Sequence, residues 1–301
     1  MIDSYKSRIF KFSGAGNDFV VLDGRQGGME PFREPGRIGA LCREYHTDGL
    51  MILTRPVLGR SDRPVPPDFV MEFYNPDGSG GMMCGNGGRC IVAFADYLGI
   101  LPADGRTYRF LAPDGDHIAE ILSKEHSAHW TVRLKMIDVH GITPMKDGYF
   151  LNTGTRHFVK FTTGVDGLDM EADAKPLRWD PAFQPEGTNV NFVEVRSDGL
   201  HVRTFEKGVE GETLACGTGL TASALAACKA GIPCSSGAEQ PMGSGESGPR
   251  NAEDKTVSQA VYRLQCRRGD WLQVCFRPGP DDRFSEVYLT GPAELVAVNP
   301  L

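Results

Sequence analysis

The sequence predicts an α+β chain of two similar halves, each a set of β-strands with one buried helix. Three observations predict this. A Cys-Gly-x-Gly turn occurs twice, as Cys84-Gly85-Asn86-Gly87 and Cys216-Gly217-Thr218-Gly219. Each copy opens an Ala-rich apolar run that closes on a Gly-Ile pair, Gly99-Ile100 and Gly231-Ile232, at the same distance from its Cys. Residues 149–161 repeat the pattern of residues 10–22: a small-residue turn, polar residues, then Phe-Val inside a strand. With two copies, the reading is a pair of similar domains and not a solenoid.

In chain order, residues 9–23 read as strand, tight Gly turn, strand, with Asn17 and Asp18 at the turn's exit. Residues 24–47 are polar and broken by Gly and Pro, with a short helix at Arg37–Tyr45. Leu50–Leu53 is a buried strand, and the proline-rich residues 55–68 a loop. Residues 69–75 form a strand running into the turn Pro76-Asp77-Gly78-Ser79, so Asn75 stands at a strand end near Cys84. The first Ala-rich run follows. It lacks a polar face, so its helix is expected to be buried, with Gly99 as its C-cap. Strand-like segments come next at Thr107–Leu111, His117–Leu122 and Trp130–Met136.

The second half begins with the strand pair of residues 149–161, which carries Thr155, Arg156 and His157. Residues 188–195 and 200–205 flank Ser197-Asp198-Gly199, a hairpin signal. The second strand ends at Glu206-Lys207, and an acidic, Gly-spaced turn leads to Cys216 and the second buried helix. Residues 235–258 lack apolar content and are expected to be a surface insertion. Ala260–Cys266, Trp271–Phe276 and Glu286–Leu289 read as strands, and Glu294–Val298 as a last strand returning to the first domain. The expected domains are 1–130, with 290–301 added, and 131–289.

Composition excludes several function classes. The chain of 301 residues has 40% hydrophobic and 24% charged residues and a net charge of −7, ordinary for a globular protein and without a nucleic-acid footprint. No apolar run reaches the length of a membrane span, and the first residues lack a signal-peptide core, so a cytoplasmic location is expected. The eight cysteines include no C-x-x-C and no His at zinc spacing, so neither a disulfide framework nor a metal site is expected.

A lone cysteine beside a helix is ordinarily packing. Packing does not require the same Cys-Gly-x-Gly twice. A Cys just before a helix sits where backbone N–H groups and the positive end of the dipole point, a setting that binds a carboxylate and favours a thiolate. Two such ends around one ligand would serve symmetric chemistry. A redox disulfide ordinarily uses nearby cysteines, and a thiol nucleophile needs only one. Proton exchange at a carbon between two thiols uses both and inverts a stereocentre. The N–H groups of Gly85, Asn86, Gly87, Gly217, Thr218 and Gly219 would stabilise the charge developing on the substrate carboxylate. Nothing resembles a pyridoxal-phosphate lysine site, so no cofactor is expected.

At these residues the chain resembles the diaminopimelate epimerases. The matching stretches are Gly14-Ala15-Gly16-Asn17-Asp18-Phe19, Asn75-Pro76-Asp77-Gly78-Ser79, residues 84–90, Asn189-Val190-Asn191-Phe192-Val193 and residues 211–219. The resemblance implies two pseudo-symmetric domains, each a mixed sheet or barrel wrapped around a central helix. It implies cofactor-free interconversion of LL- and meso-diaminopimelate in lysine biosynthesis, with a homodimer as a partner state to test. It makes Cys84 and Cys216 the acid/base pair. Asn17, Asn75 and Asn189 would hold substrate polar groups, Gly85-Asn86 and Gly217-Thr218 the carboxylate, and Glu206 the amino group. His157, Asp77 and Thr155 are expected supports.

Two departures touch recognition of the distal end of the substrate. Lys207 stands where the family has Arg, and Thr155-Arg156 where it commonly has Asn-Pro. Lysine does not reproduce a bidentate guanidinium grip, and Arg156 is the candidate to supply it. The competing readings are a related racemase with altered distal recognition, such as a proline-racemase-like enzyme, and a non-catalytic binder on the same fold.

Overall fold

The structure is a computed structural model that describes residues 8–56, 65–80, 83–234 and 259–300. The expected insertion at 235–258 lies outside the described residues, as does part of the loop at 55–68. The chain divides into two compact units. The first comprises the described residues up to Lys135 and those from Thr290 onward; the second is Met136–Leu289.

The first unit contains β1 (Arg8–Gly14), β2 (Asn17–Asp23), α1 (Pro35–Tyr45), β3 (Gly49–Thr54), β4 (Phe69–Tyr74), α2 (Gly85–Tyr97), β5 (Thr107–Ala112), β6 (Gly115–Glu125) and β7 (His129–Lys135). The end of the chain's last strand, Arg283–Pro300, completes it. β1 pairs β2 antiparallel, β2 pairs β3 parallel, β3 pairs β4 antiparallel and β4 pairs β5 parallel. β5, β6 and β7 continue antiparallel. The last strand pairs β7 on one side and β1 on the other, which closes the sheet into a ring of eight strands. Helix α2 packs against β1, β2, β3, β6 and β7, and every residue from Gly85 to Ala95 is buried. A helix without a polar face is stable only when surrounded in this way.

The second unit contains β8 (Val139–His140), β9 (Thr143–Met145), β10 (Gly148–Asn152), β11 (Arg156–Phe161), α3 (Met170–Arg178), β12 (Asn189–Arg196), β13 (Gly199–Glu206), β14 (Gly211–Thr213), α4 (Gly217–Lys229), β15 (Ala260–Gln265), β16 (Trp271–Pro278) and the start of β17 (Arg283–Pro300). Its pairings repeat those of the first unit in order. β10 pairs β11 antiparallel, β11 pairs β12 parallel, β12 pairs β13 antiparallel, β13 pairs β15 parallel and β15 pairs β16 antiparallel. α4 packs against this sheet as α2 does against the first. Each unit is therefore a mixed sheet around a buried helix, and the fold is α+β with two pseudo-symmetric halves.

The parallel pairs need crossovers, and these are also duplicated. α1 carries the chain from β2 to β3, and α3 carries it from β11 to β12. Each packs on the outer face of its sheet. Ile38 and Leu41 join Val20, Leu22 and Ile52, while Met170 and Ala174 join Phe158, Val190 and Phe205. Both central helices end as expected. Gly99 and Gly231 take φ of 73° and 71°, and the N–H groups of Ile100 and Ile232 reach back to the carbonyls of Ala95 and Ala227. This is the left-handed glycine stop.

Two departures from expectation concern secondary structure. Residues 286–289 and 294–298 belong to one 18-residue strand and not two, because Gly291-Pro292 does not interrupt pairing. Pro292 faces Thr131 of β7, and pairing with β1 has already stopped at Glu294, so the missing proline N–H breaks no ladder bond there. Helix α3, unexpected from sequence, carries Pro176 inside it and starts at Asp169, whose carboxylate accepts from the N–H groups of Glu171 and Ala172.

Candidate active site

Each unit presents the same local structure. Cys84 is the extended residue before α2, at φ −81° and ψ 133°, and Cys216 is the extended residue before α4, at φ −122° and ψ 107°. Cys84 is half-buried and Cys216 is buried. The first intrahelical bonds are Gly88 N–H to the Cys84 carbonyl (2.8 Å) and Leu220 N–H to the Cys216 carbonyl (2.9 Å). The preceding N–H groups, at 85–87 and 217–219, therefore point out of the helix ends beside the sulfurs, as anion-binding groups do.

In the first unit the second residue after the Cys reaches the β1–β2 turn. Asn86 Nδ2 donates to Asn17 Oδ1 at 2.7 Å, and Asn86 Oδ1 accepts from Arg89 Nη2 at 2.8 Å. Arg89 is fully buried, and it also donates to the carbonyls of Gly14 and Pro292. Arg89 Nη1 also donates to the Gly85 carbonyl at 3.4 Å, which places the guanidinium against the helix end that carries Cys84. Sequence reading did not single out Arg89, although an Arg inside an otherwise apolar helix was the available signal. Asn75 and Asp77 turn instead toward Ser79. Asn75 Nδ2 donates to Ser79 Oγ (3.0 Å), and Asp77 Oδ1 accepts from the N–H and hydroxyl of Ser79. Those bonds hold the exposed Asp77 carboxyl below its ordinary range.

In the second unit the corresponding position is Thr218. Its hydroxyl lies 3.0 Å from Thr155 Oγ1, 3.0 Å from His157 Nε2 and 3.4 Å from Cys216 Sγ. His157 is fully buried, and burial pushes its imidazole down from 6.5 to about 3. It is therefore neutral at physiological pH. Glu206, at the end of β13, is pushed up by burial, an effect opposed by hydrogen bonds from Thr213 and Cys216. Sequence reading brought His157, Thr155, Glu206 and Thr218 to this half-site, and the structure gathers them around Cys216.

Asn189 acts on backbone. Its Oδ1 accepts from Lys207 N–H at 2.8 Å, and its Nδ2 donates to the Arg156 carbonyl at 2.9 Å. It thereby fixes the two segments that carry the expected distal cations. Both side chains reach Glu186: Arg156 Nη1 lies 2.6 Å from Glu186 Oε2, and Lys207 Nζ lies 2.6 Å from the Glu186 carbonyl. Arg156 also stacks over the Phe150 ring. Among the described residues, no group of three or more His, Cys, Asp or Glu side chains is placed to hold a metal, and no helix is long and apolar enough to cross a membrane.

Comparison with known proteins bears on the family and the fold. The family model for diaminopimelate epimerase matches residues 149–261. The diaminopimelate epimerase of Chlorobaculum tepidum is 35% identical over 296 residues, covering 94% of this chain and 97% of the relative. That of Aquifex aeolicus is 40% identical over 242 residues, covering 74% of this chain and 82% of the relative. Among solved structures, a phenazine biosynthesis protein of the PhzF family from Bacillus anthracis superposes with a TM-score of 0.66 over 98% of both chains, at 10% identity. A hydroxyproline epimerase from Agrobacterium vitis superposes with a TM-score of 0.55 over 98% of this chain and 92% of that one, at 13% identity. At such identities the superpositions speak for the fold alone. With relatives at 33–40% identity over most of its length, the chain belongs to the diaminopimelate epimerase family.

Proposed function

We propose that this protein is an isomerase that interconverts LL- and meso-diaminopimelate in lysine biosynthesis. The observation that carries the reading is the repeated element: one cysteine at the head of one buried helix in each half. One sulfur, as thiolate, removes the α-proton; the other, as thiol, delivers a proton to the opposite face. The electron pair left on carbon delocalises into the substrate carboxylate. Helix-end N–H groups at Gly85, Asn86, Gly217 and Thr218 oppose that developing charge. Glu206 takes the amino group at the reacting carbon, and Asn17, Asn75 and Asn189 order polar groups around the substrate. Two thiols supply both acid and base, so the chemistry requires no cofactor.

The distal carboxylate falls to Arg156 and Lys207, with the Glu186 carboxylate held in its place by Arg156 and the Glu186 main-chain carbonyl by Lys207. This departure from the family pattern supports a second reading, a racemase of altered distal preference. The protein is expected to act in the cytoplasm, and light scattering tests whether it is a homodimer. The deciding experiment incubates the protein with LL-diaminopimelate in heavy water. Deuterium at the α-carbon together with formation of the meso isomer supports the reading. Turnover of proline, histidine or lysine but not diaminopimelate supports the second, and no exchange with any of them defeats both.

A further inference from the structure

Asn191 lies on β12, is fully buried, and contacts neither sulfur. Its amide orientation is fixed by the Phe158 carbonyl, and the Thr204 hydroxyl suits it. Oδ1 accepts from the Thr204 hydroxyl at 2.9 Å. Nδ2 donates to the Phe158 carbonyl at 3.2 Å, an atom that can only accept, and lies 2.9 Å from His157 Nδ1. The nitrogen facing an amide NH2 must carry the lone pair. The single proton of the neutral imidazole is therefore on Nε2.

Nε2–H points at two hydroxyls, Thr155 Oγ1 (2.9 Å) and Thr218 Oγ1 (3.0 Å), which are 3.0 Å apart. The protons that meet here are those on Nε2 and on the two hydroxyls, and Asn189 Nδ2 also donates to Thr155 Oγ1 at 3.4 Å. Three acceptors are within reach: the two hydroxyl oxygens and Cys216 Sγ, 3.4 Å from Thr218 Oγ1. When Nε2–H donates to the Thr218 oxygen, the exposed Thr155 hydroxyl can turn to solvent and the Thr218 hydroxyl proton is left to face Cys216 Sγ. With the proton on Nδ1 instead, Nε2 would accept a hydroxyl proton and the chain would run away from the cysteine.

We propose that Asn191 is a positioning residue: by donating to His157 Nδ1 it sets the imidazole tautomer, which aims the Thr218 hydroxyl at Cys216 and stabilises its thiolate. His157 acts here as a neutral donor and not as a base. The titratable group facing the same sulfur from β13 is Glu206, which accepts a hydrogen bond from the Cys216 thiol and whose charge opposes the thiolate once that proton has left, while the Thr218 hydroxyl favours it. Gly219 belongs to the same device. A Cβ at this position would collide with Asn191 Oδ1 and stand 3.2 Å from Thr204 Oγ1. The second glycine of the Cys-Gly-x-Gly turn makes room for the amide that orients the histidine.

The proposal rests on Cys216 being an acid/base residue, but its test reads the resting protein and needs no turnover. Nitrogen-15 NMR of the imidazole in the unaltered protein is expected to place the His157 proton on Nε2. A proton on Nδ1 overturns the proposal without any variant. The rate of Cys216 alkylation by iodoacetamide against pH, in a Cys84→Ser background, then reports the thiolate. Thr218→Val is expected to lower the thiolate fraction at neutral pH by about tenfold, the scale of one lost hydrogen bond to a charged acceptor, while Thr218→Ser retains it. Asn191→Asp, which replaces the donor with an acceptor, is expected to move the proton to Nδ1 and reproduce the Thr218→Val profile. An alkylation profile unchanged in Thr218→Val overturns the proposal. Absence of deuterium exchange in the unaltered protein, with the tautomer and profiles as expected, would defeat only the functional reading.

Discussion

Acid should weaken the second unit through His157. Burial holds the folded imidazole at about 3, against 6.5 in the unfolded chain. Above pH 6.5 both states are neutral there and the full stability is present. Between 6.5 and 3 the unfolded chain takes up a proton that the folded chain refuses, so stability is lost as pH falls through that window. The slope is about 1.4 kcal/mol per pH unit, and the whole separation of about 3.5 pH units amounts to roughly 5 kcal/mol. Lowering the pH from 7 to 5 should therefore cost about 2 kcal/mol from this residue alone, equivalent to about 4–8 °C in Tm for a unit of this size. The assay is urea unfolding at the two pH values for the unaltered protein and for His157→Gln. The variant starts less stable, because the chain of hydrogen bonds to Thr218 and Asn191 is broken. Its further loss on acidification should be smaller by that 2 kcal/mol. Parallel losses in the two proteins would refute the account of a buried, uncharged histidine.

Three further outcomes follow from the same geometry. Gly219→Ala should destabilise the protein by about 1–3 kcal/mol in chemical denaturation, since the added methyl displaces Asn191 from a packed interior. Arg89→Met should cost about 3 kcal/mol or more by leaving Asn86 Oδ1 and the carbonyls of Gly14 and Pro292 unsatisfied, with Arg89→Lys failing to restore it in the same assay. Arg156→Ala should raise KM for diaminopimelate by about tenfold with little change in kcat, whereas Glu186→Ala, which releases the guanidinium, should lower KM; an unchanged KM in Arg156→Ala would count against a distal role.

The duplication was legible because it is written in residues whose physical role is narrow. Gly85, Gly87, Gly217 and Gly219 mark helix starts, Gly99 and Gly231 mark helix stops, and the apolar runs between them can exist only inside a sheet. The crossover helix α3 was not legible locally, since Pro176 and the short apolar content of residues 162–187 suggest a loop. The repeat itself held the signal: a strand pair matching β1–β2 and β3–β4 requires a counterpart to α1. The continuity of β17 was hidden by Gly291-Pro292, a turn signal that one-sided pairing overrides. In the candidate site, Cys84, Cys216 and Thr218 could be read from the repeated motif, and His157 entered only through the family resemblance. Asn191 and Arg89 could not be given roles, because what they do depends on which atoms face them across β11, β13 and β17. Nor were the bonds that tie Asn75 and Asp77 to Ser79 legible, because they depend on how residues 75–79 fold back on one another.

Two sulfurs that share one proton transfer must both be needed for turnover. Epimerisation of LL-diaminopimelate should be measured for Cys84→Ser and Cys216→Ser, each confirmed folded by circular dichroism. A serine hydroxyl is a far weaker acid than a thiol, so each variant alone should lose about 10²–10⁴-fold in kcat. Turnover at the unaltered rate with serine at either position would contradict the account.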